Sequence, residues 1–222
     1  MPKGTTFRVY PDIPDSLFRK YLKAELLAVD TEMQGLKLER DQVCLVQLCD
    51  EHRNVCLVKP TPPKAPANLK KLLENSKLLK IFHYALTDVG FLRQSLGIKV
   101  KPYHCTRVMS KLVRTYTNTH SLKDVVSELV GVQLEKENQQ TNWAKDELSQ
   151  QQLRYAANDV LFLIPVYQIL TNMLQARKKL PSGISGEKLN TICQAYLPAL
   201  VEIVINGYAN RDEGWDTELF AH

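Results

Sequence analysis

The sequence comprises 222 residues, of which 44% are hydrophobic and 24% are charged, enough for one globular core with a short appended segment. No apolar run approaches the length of a membrane span, which argues against a transmembrane protein and against a membrane partner. The formal net charge of +5 is compatible with a polyanionic partner but is too small to establish one.

The start of the chain and the cysteines predict a soluble, cytoplasmic protein. The first six residues contain no apolar leader segment. The five cysteines form no CxxC pair, and their odd number argues against a secreted disulfide framework. We therefore expect buried free thiols.

The first predicted elements are a short edge strand at 7–10 and an amphipathic helix after it. The side chains that this helix turns inward are Leu17, Phe18, Tyr21 and Leu22. Three strands follow at 26–33, 43–49 and 54–58, with a hairpin at 50–53 between the last two. Consecutive short strands of this kind predict an antiparallel meander.

The first strand of the meander carries two carboxylates. Because side chains alternate along a strand, Asp30 and Glu32 point to one face, while Val29 and Thr31 point to the other. Burying two like charges side by side is costly unless a cation neutralises them. The pair is therefore a candidate site for Mg²⁺ or Mn²⁺, which prefer oxygen ligands. Taken alone, such a pair is more often the solvated start of a loop.

The proline-rich stretch at 59–66 is interpreted as a surface loop, because proline removes backbone donors and restricts the residue before it. Docking of a partner in the polyproline II conformation is an alternative use. A helix at 69–75 and a strand at 78–83 follow, and helices and strands alternate from there. This order predicts a parallel continuation of the sheet and a mixed α/β fold.

Two polar residues mark the end of the strand at 78–83. Asp88 falls in the first turn of the helix that leaves this strand, at the edge where open α/β sheets bind ligands. An acid there often only complements the helix dipole. His83 at the strand end is likewise more often a satisfied core histidine than a ligand.

Helices are next predicted at 105–113 and 122–130, the second opened by Ser121 and Asp124 and ended by Gly131. The loop between them, 114–120, combines a cation, an aromatic ring and hydroxyls. The cations that flank it are Arg107, Lys111 and Lys123. This composition suits phosphate and sugar contacts, although a solvated loop explains it equally well.

A polar loop at 135–143 ends in Trp143, which either anchors the loop in the core or stacks on a base. A helix then begins at Ser149, with Gln152 as its capping-box partner, and Pro165 is expected to kink it. Tyr155 and Asp159 share one face of this helix, where it becomes apolar.

The composition changes after residue 176 to a basic, turn-rich linker. Helices are predicted at 187–197 and again after Pro198, followed by an acidic stretch with a tryptophan at 212–215. The basic residues 177–179 are either a phosphate contact or a solvated face.

Four acids and a tyrosine follow one another along the chain in the order Asp30, Glu32, Asp88, Tyr155 and Asp159. In this order the sequence resembles the DEDDy subgroup of 3′–5′ exonucleases. Within that subgroup it is similar to the short form of ribonuclease D. The segments that carry the resemblance are Val29-Asp30-Thr31-Glu32, Leu45-Val46-Gln47-Leu48, Phe82-His83 with Asp88, Arg114-Thr115-Tyr116, Leu122-Lys123-Asp124 and Leu153-Arg154-Tyr155-Ala156-Ala157 with Asp159. They cover residues 25 to about 175, and the ending at 220–222 is also similar.

The resemblance implies a ribonuclease H-like (DnaQ-like exonuclease) mixed sheet, with a catalytic domain at 1–177 and a short helical C-terminal extension at 178–222. It further implies two divalent metal ions, Mg²⁺ or Mn²⁺, in an in-line displacement at phosphorus. Asp30 would bridge both ions, Glu32 and Asp159 would complete the first site, and Asp88 would help to hold the second. Tyr155 would orient the attacking water. The implied substrate-binding residues are Thr31, Met33, His83, Arg114 and Tyr116.

Three features depart from the family pattern. Met33 stands where many members carry an aromatic residue, and Asn142 replaces a frequent aspartate before Trp143. The segment from 178 onward is too short for the C-terminal helical nucleic-acid-binding (HRDC) domain of long ribonucleases D. Substrate grip is therefore expected from the catalytic domain or from oligomerisation.

The leading functional hypothesis is a metal-dependent 3′–5′ exoribonuclease that releases nucleoside 5′-monophosphates from the 3′ end of RNA, such as tRNA precursors or other structured RNA. An exonuclease that prefers DNA is an alternative, because no contact to a 2′-hydroxyl can be read from the sequence. A catalytically inert nucleic-acid-binding protein is another. The oligomeric state is left open.

Overall fold

The computed structural model describes residues 6–134, 141–180 and 183–206. Within these ranges six strands form one sheet, in the order β1-β4-β3-β2-β5-β6. The strands are β1 (Val9–Tyr10), β2 (Leu26–Met33), β3 (Val43–Asp50), β4 (Val55–Val58), β5 (Leu79–Phe82) and β6 (Tyr103–Cys105).

The pairing of these strands confirms the predicted mixed sheet. β2, β3 and β4 form the antiparallel meander, while β5 pairs in parallel with β2, and β6 in parallel with β5. β1 lies at one edge, parallel to β4. The parallel strand β6 was missed, because three residues with the sequence Tyr-His-Cys carry no periodic apolar signal.

Eight helices are defined in the described ranges. They are α1 (Asp15–Tyr21), α2 (Ala67–Leu73), α3 (Ala85–Leu96), α4 (Thr106–Val113), α5 (Leu122–Val130), α6 (Gln150–Leu161), α7 (Leu163–Ala176) and α8 (Gly186–Ile205). The predicted start signals are confirmed: Ser121 caps α5, and Ser149 with Gln152 forms the capping box of α6. Gly131 ends α5 at a φ of 73°, which suits glycine.

The two faces of the sheet are covered by different helices. On one face, the largest apolar cluster joins the sheet residues Val29, Val46 and Phe82 to side chains of α2, α3 and α8, such as Leu92. On the other face, α6 packs on β2, β3 and β4, and α7 packs on β2 and β5. This second face is the one that receives the predicted Tyr155 and Asp159, because both residues belong to α6.

Three local predictions are corrected by the structure. Leu22 is not inward: it follows the last residue of α1 and is 47% exposed. A kink was expected at Pro165, but the helix breaks earlier, at Phe162, which separates α6 from α7. Two helices were expected around Pro198, but the structure has the single helix α8, with this exposed proline inside it. α8 stays continuous because it packs on α3, α4 and α7.

The C-terminal helix is integrated with the rest of the molecule. Leu197 and Val201 of α8 belong to the main core cluster. The division at residues 177 and 178 stays a prediction. The expected features at 135–140, 181–182, 212–215 and 220–222 lie outside the described residues.

All five cysteines are free thiols, four of them buried, as expected. Over the described ranges, no helix combines the length and apolar character that a membrane span requires.

Candidate active site

Three carboxylates meet where β2 passes under α6. Asp30 and Glu32 project from the same face of β2, and Asp159 projects towards them from α6. One oxygen from each of the three lies within 4.8 Å of the others. All three side chains are half-buried, so the group is open to a small ligand. Strand alternation and one helix crossing are sufficient to build this group.

Asp88 stands next to this group as a fourth acid. It lies in the first turn of α3, is 5% exposed and accepts a hydrogen bond of 2.6 Å from the hydroxyl of Thr31. Its negative charge is one of the causes that raise the pKa of Asp30 and Glu32. The structure therefore brings all four predicted acids into one electrostatic unit, with Asp30, Glu32 and Asp159 in closest contact.

The acids have strongly perturbed proton affinities. Burial, followed by repulsion from neighbouring carboxylates, raises the pKa of Asp30 and Glu32 well above the ordinary range. Burial raises the pKa of Asp88 and of Asp159 to about 7. The protein alone thus resists full ionisation of the group near neutral pH.

The donor set fits a divalent cation. Carboxylate oxygens are the ligands that Mg²⁺ and Mn²⁺ prefer, and a bound cation offsets the repulsion that raises these pKa values. None of the ion pairs among the described residues involves these acids. Such a cluster is difficult to explain as a structural device, because each ionised carboxylate costs free energy to remove from water.

Tyr155 is held beside Asp159. It lies one turn earlier on α6, and its phenol is close enough to the Asp159 carboxylate to lower the pKa of that acid. Its ring packs against that of Trp143, with centroids 6.1 Å apart. Burial, together with the negative charge of Asp159, Glu32 and Asp30, raises the pKa of Tyr155, so the phenol keeps its proton. Trp143 is 2% exposed, which confirms the anchor interpretation and leaves no ring face for a base.

Two of the expected substrate-binding residues, the half-buried His83 and the buried Thr31, have their polar atoms engaged by other groups of the protein. His83 uses both ring nitrogens: Nδ1 lies 2.9 Å from the Thr106 hydroxyl, and Nε2 lies 2.9 Å from the carbonyl oxygen of His120. Burial lowers the pKa of His83 to about 4, so the ring is neutral. Thr31 is buried, and its hydroxyl is engaged by Asp88. The polar atoms of both side chains are therefore engaged by other groups of the protein, and their role in substrate binding stays a prediction.

Arg114 has no exposed surface and is the anchor of the loop at 114–120. Its guanidinium pairs with Glu128 at 2.5 Å and donates hydrogen bonds to the Ser110 hydroxyl and the Thr119 carbonyl oxygen. Tyr116 is 66% exposed, and its hydroxyl donates to Glu128. Of this pair, only Tyr116 offers a surface to a ligand.

Met33 follows an irregularity in the pairing of β2 with β3, between Glu32 and Met33. Its half-buried sulfur lies 3.2 Å from the Thr31 hydroxyl oxygen. The position thus presents a flexible apolar side chain next to the acids.

A stacked pair at the start of α3 was not predicted as a pair. The guanidinium of Arg107, in the first turn of α4, lies 4.5 Å from the ring centroid of Tyr84. Tyr84 precedes α3 at a φ of 73°, an unusual value for a residue other than glycine, and is 47% exposed. The sequence indicated Arg107 as a flanking cation. The backbone conformation that carries the ring to it has no sequence signature in a tyrosine.

Comparison with known proteins agrees with this geometry. A family model described as "3'-5' exonuclease" matches residues 11–175. Ribonuclease D of Haemophilus influenzae is 33% identical over 149 residues, which are 67% of this chain and 37% of that protein. The chain spans less than half the length of the curated relatives named ribonuclease D that it matches.

Solved structures of similar length also match. NrnC of Brucella melitensis is 34% identical, with a TM-score of 0.86 over 98% of both chains. The same protein bound to pGG matches at 33% identity, with a TM-score of 0.85 over 99% of this chain and 100% of that one. With bound Mg²⁺ it matches at 33% identity, with a TM-score of 0.84 over 98% of this chain and 100% of that one. Escherichia coli RNase D shares the fold, with a TM-score of 0.70 and 22% identity over 87% of this chain and 51% of that one.

The raised pKa values predict how the stability of the metal-free protein depends on pH. Between pH 4 and 7 the unfolded chain has lost the protons of Asp88 and Asp159, while the folded chain, with pKa values of about 7, still holds them. Stability therefore falls as the pH rises through this window. In the presence of a chelator, we expect the melting temperature to drop on the order of 5 °C between pH 5 and pH 8.

Excess Mn²⁺ should restore the melting temperature at pH 8 and have little effect at pH 5. Asp159→Asn should flatten the pH profile in chelator, while Glu187→Gln, at an exposed acid in α8, should leave it unchanged. A profile that is flat in the unsubstituted protein, or that rises towards pH 8, contradicts the assigned pKa shifts.

Proposed function

The chain belongs to the 3′–5′ exonuclease family, and we propose that it is a divalent-metal-dependent exoribonuclease that releases nucleoside 5′-monophosphates from the 3′ end of RNA. The observation that carries the proposal is the convergence of Asp30, Glu32 and Asp159, with Asp88 and Tyr155 beside them. A relative of the same length has been solved with bound Mg²⁺, which supports the metal requirement.

The acids divide the task of holding the cofactor. Two divalent ions supply Lewis acidity at the scissile phosphate and lower the pKa of bound water. The negative charge of each of the other three acids raises the pKa of Asp30. Asp30 would therefore bridge the two positions. Glu32 and Asp159 would complete one position, and Asp88, oriented by Thr31, would serve the other.

Tyr155 acts as an orienting group and not as a free base. Its ring packs against that of Trp143, its phenol lies beside Asp159, and its raised pKa keeps the proton on the oxygen. A phenol held in this way positions the lone pair of the attacking water through a hydrogen bond.

Substrate contacts are assigned to side chains that the structure leaves accessible. Arg107 forms none of the ion pairs found among the described residues, and Tyr84 holds its guanidinium in place for a phosphate. Met33 and Tyr116 are the remaining direct contacts. Thr31, His83 and Arg114 act through the residues that they position.

A short oligonucleotide is a second substrate class that a specific observation favours. NrnC, which this chain matches over nearly its whole length, has been solved bound to pGG, in nucleotide notation a 5′-phosphorylated dinucleotide. The match to the longer ribonucleases D supports structured RNA, including tRNA precursors, as the substrate of this chain. DNA is the further alternative. The five free thiols favour a reducing, cytoplasmic location.

A turnover assay tests the proposed activity. We expect stepwise shortening of a 5′-labelled RNA from its 3′ end with Mg²⁺ or Mn²⁺, and none with Asp30→Asn. Parallel reactions with pGG, a structured RNA and a DNA strand of the same sequence rank the substrate classes. Equal persistence of every substrate with the unsubstituted protein and with Asp30→Asn, together with tight RNA binding, would identify an inert binding protein.

Tyr155→Phe separates water orientation from metal binding. We expect kcat to fall about 10- to 100-fold, because the phenol no longer positions the water. The rise in melting temperature on adding Mn²⁺ should stay close to that of the unsubstituted protein, since the acids are intact. Loss of this metal-induced stabilisation would show instead that the phenol is needed to hold Asp159.

Arg107→Gln tests the phosphate contact. We expect a several-fold rise in KM with little change in kcat, and a salt dependence of RNA binding shallower by about 0.7 in its logarithmic slope. Arg93→Gln is the matched control, because Arg93 of α3 already forms an ion pair, at 3.8 Å, with Glu202 of α8. An unchanged KM and salt slope in Arg107→Gln would remove Arg107 from the substrate path.

A further inference from the structure

Gln47 occupies the centre of β3, directly opposite Asp30 of β2 in the antiparallel register. Residues paired in this way project from the same face of a sheet, with Cβ atoms about 5 Å apart. On its other side Gln47 is paired with Leu57 of β4. The amide is therefore placed between a carboxylate of the site and an apolar neighbour.

The surroundings of Gln47 are otherwise apolar. Leu45 and Cys49, two residues to either side along β3, are buried, and α6 covers this part of the sheet with Ala156 and Val160. The side chain of Gln47 is 0% exposed. A leucine or methionine would suit such a layer better than a primary amide.

Neither the nitrogen nor the oxygen of the Gln47 amide has a hydrogen-bond partner among the described residues. Leaving a buried polar group unpaired costs about 1–3 kcal/mol. A buried amide in an apolar layer is therefore expected to have a partner in the working state of the protein.

Asp30 is the carboxylate that the strand register places opposite this amide. Its carboxylate accepts a hydrogen bond from the backbone of Thr31, which favours the ionised form. Burial and repulsion from three acids oppose ionisation. Because an ionised carboxylate accepts several hydrogen bonds and donates none, it turns the nitrogen of a neighbouring amide towards itself and repels the oxygen.

We propose that Gln47 is a positioning residue, whose side-chain amide donates a hydrogen bond to the carboxylate of Asp30 and holds it in the orientation that binds metal. The inference rests on the proposed metal site and assigns to Gln47 a part in building it. Groups that orient a ligand in this way typically contribute 10- to 100-fold in metal affinity.

Gln47→Met tests the proposal, because methionine has a similar length and no polar atoms. We expect its melting temperature in chelator to equal or exceed that of the unsubstituted protein, since an unpaired amide is removed from an apolar layer. Its dissociation constant for Mn²⁺, measured by isothermal titration calorimetry, should rise about 10- to 100-fold. Leu57→Met is the matched control: it changes the other neighbour of Gln47 and should leave Mn²⁺ affinity unaltered.

The outcomes separate this inference from the proposed function. If the unsubstituted protein binds no Mn²⁺, the metal-dependent function itself fails. If it binds Mn²⁺ and Gln47→Met binds equally well, or loses stability in chelator without a change in affinity, Gln47 is only structural and the inference is overturned.

A spectroscopic measurement keeps the test independent of the folding of Gln47→Met. The side-chain amide signals of Gln47 should shift when Mg²⁺, which is diamagnetic, is added to the ¹⁵N-labelled unsubstituted protein. The resonance is assigned by its absence in Gln47→Leu. Signals that stay in place at saturating Mg²⁺, while backbone signals of Asp30 move, would overturn the proposal.

Discussion

Repulsion among four neighbouring carboxylates, one buried and three half-buried, is the constraint on which the site depends. Asp30, Glu32 and Asp159 are held within 4.8 Å of one another, and Asp88 adds a fourth charge beside them. The fold tolerates this only by retaining protons, as the pKa of about 7 at Asp88 and Asp159 indicates, or by binding cations. The same repulsion that destabilises the protein alone therefore makes it a strong ligand for divalent metal.

The rest of the molecule keeps the acids in place against that repulsion. The sheet supplies Asp30 and Glu32 from its interior strand β2, where both residues pair with β3 and the preceding residues 26–28 also pair with β5. α6 supplies Asp159, and its start is fixed by a capping box at Ser149. Trp143 packs under the same helix near Tyr155. The backbone positions of the acids are therefore set by the packing of this helix on the sheet.

The sequence predicted those features that depend on local patterns. Alternation along β2 placed Asp30 and Glu32 on one face, and helix spacing placed Tyr155 with Asp159. It could not predict features that depend on tertiary contacts: the complete burial of Arg114 follows from its pairing with Glu128, and the stack of Tyr84 on Arg107 follows from a positive φ. The continuity of α8 through Pro198 likewise comes from packing on α3 and α4, which outweighs the missing backbone donor.

Anomalous diffraction from crystals of the protein soaked in Mn²⁺ tests the account most directly. It predicts two anomalous peaks enclosed by the carboxylates of Asp30, Glu32, Asp88 and Asp159, with an oxygen of Asp30 next to both. Absence of any peak at these carboxylates at millimolar Mn²⁺, or Mn²⁺ bound only elsewhere on the protein, would contradict it.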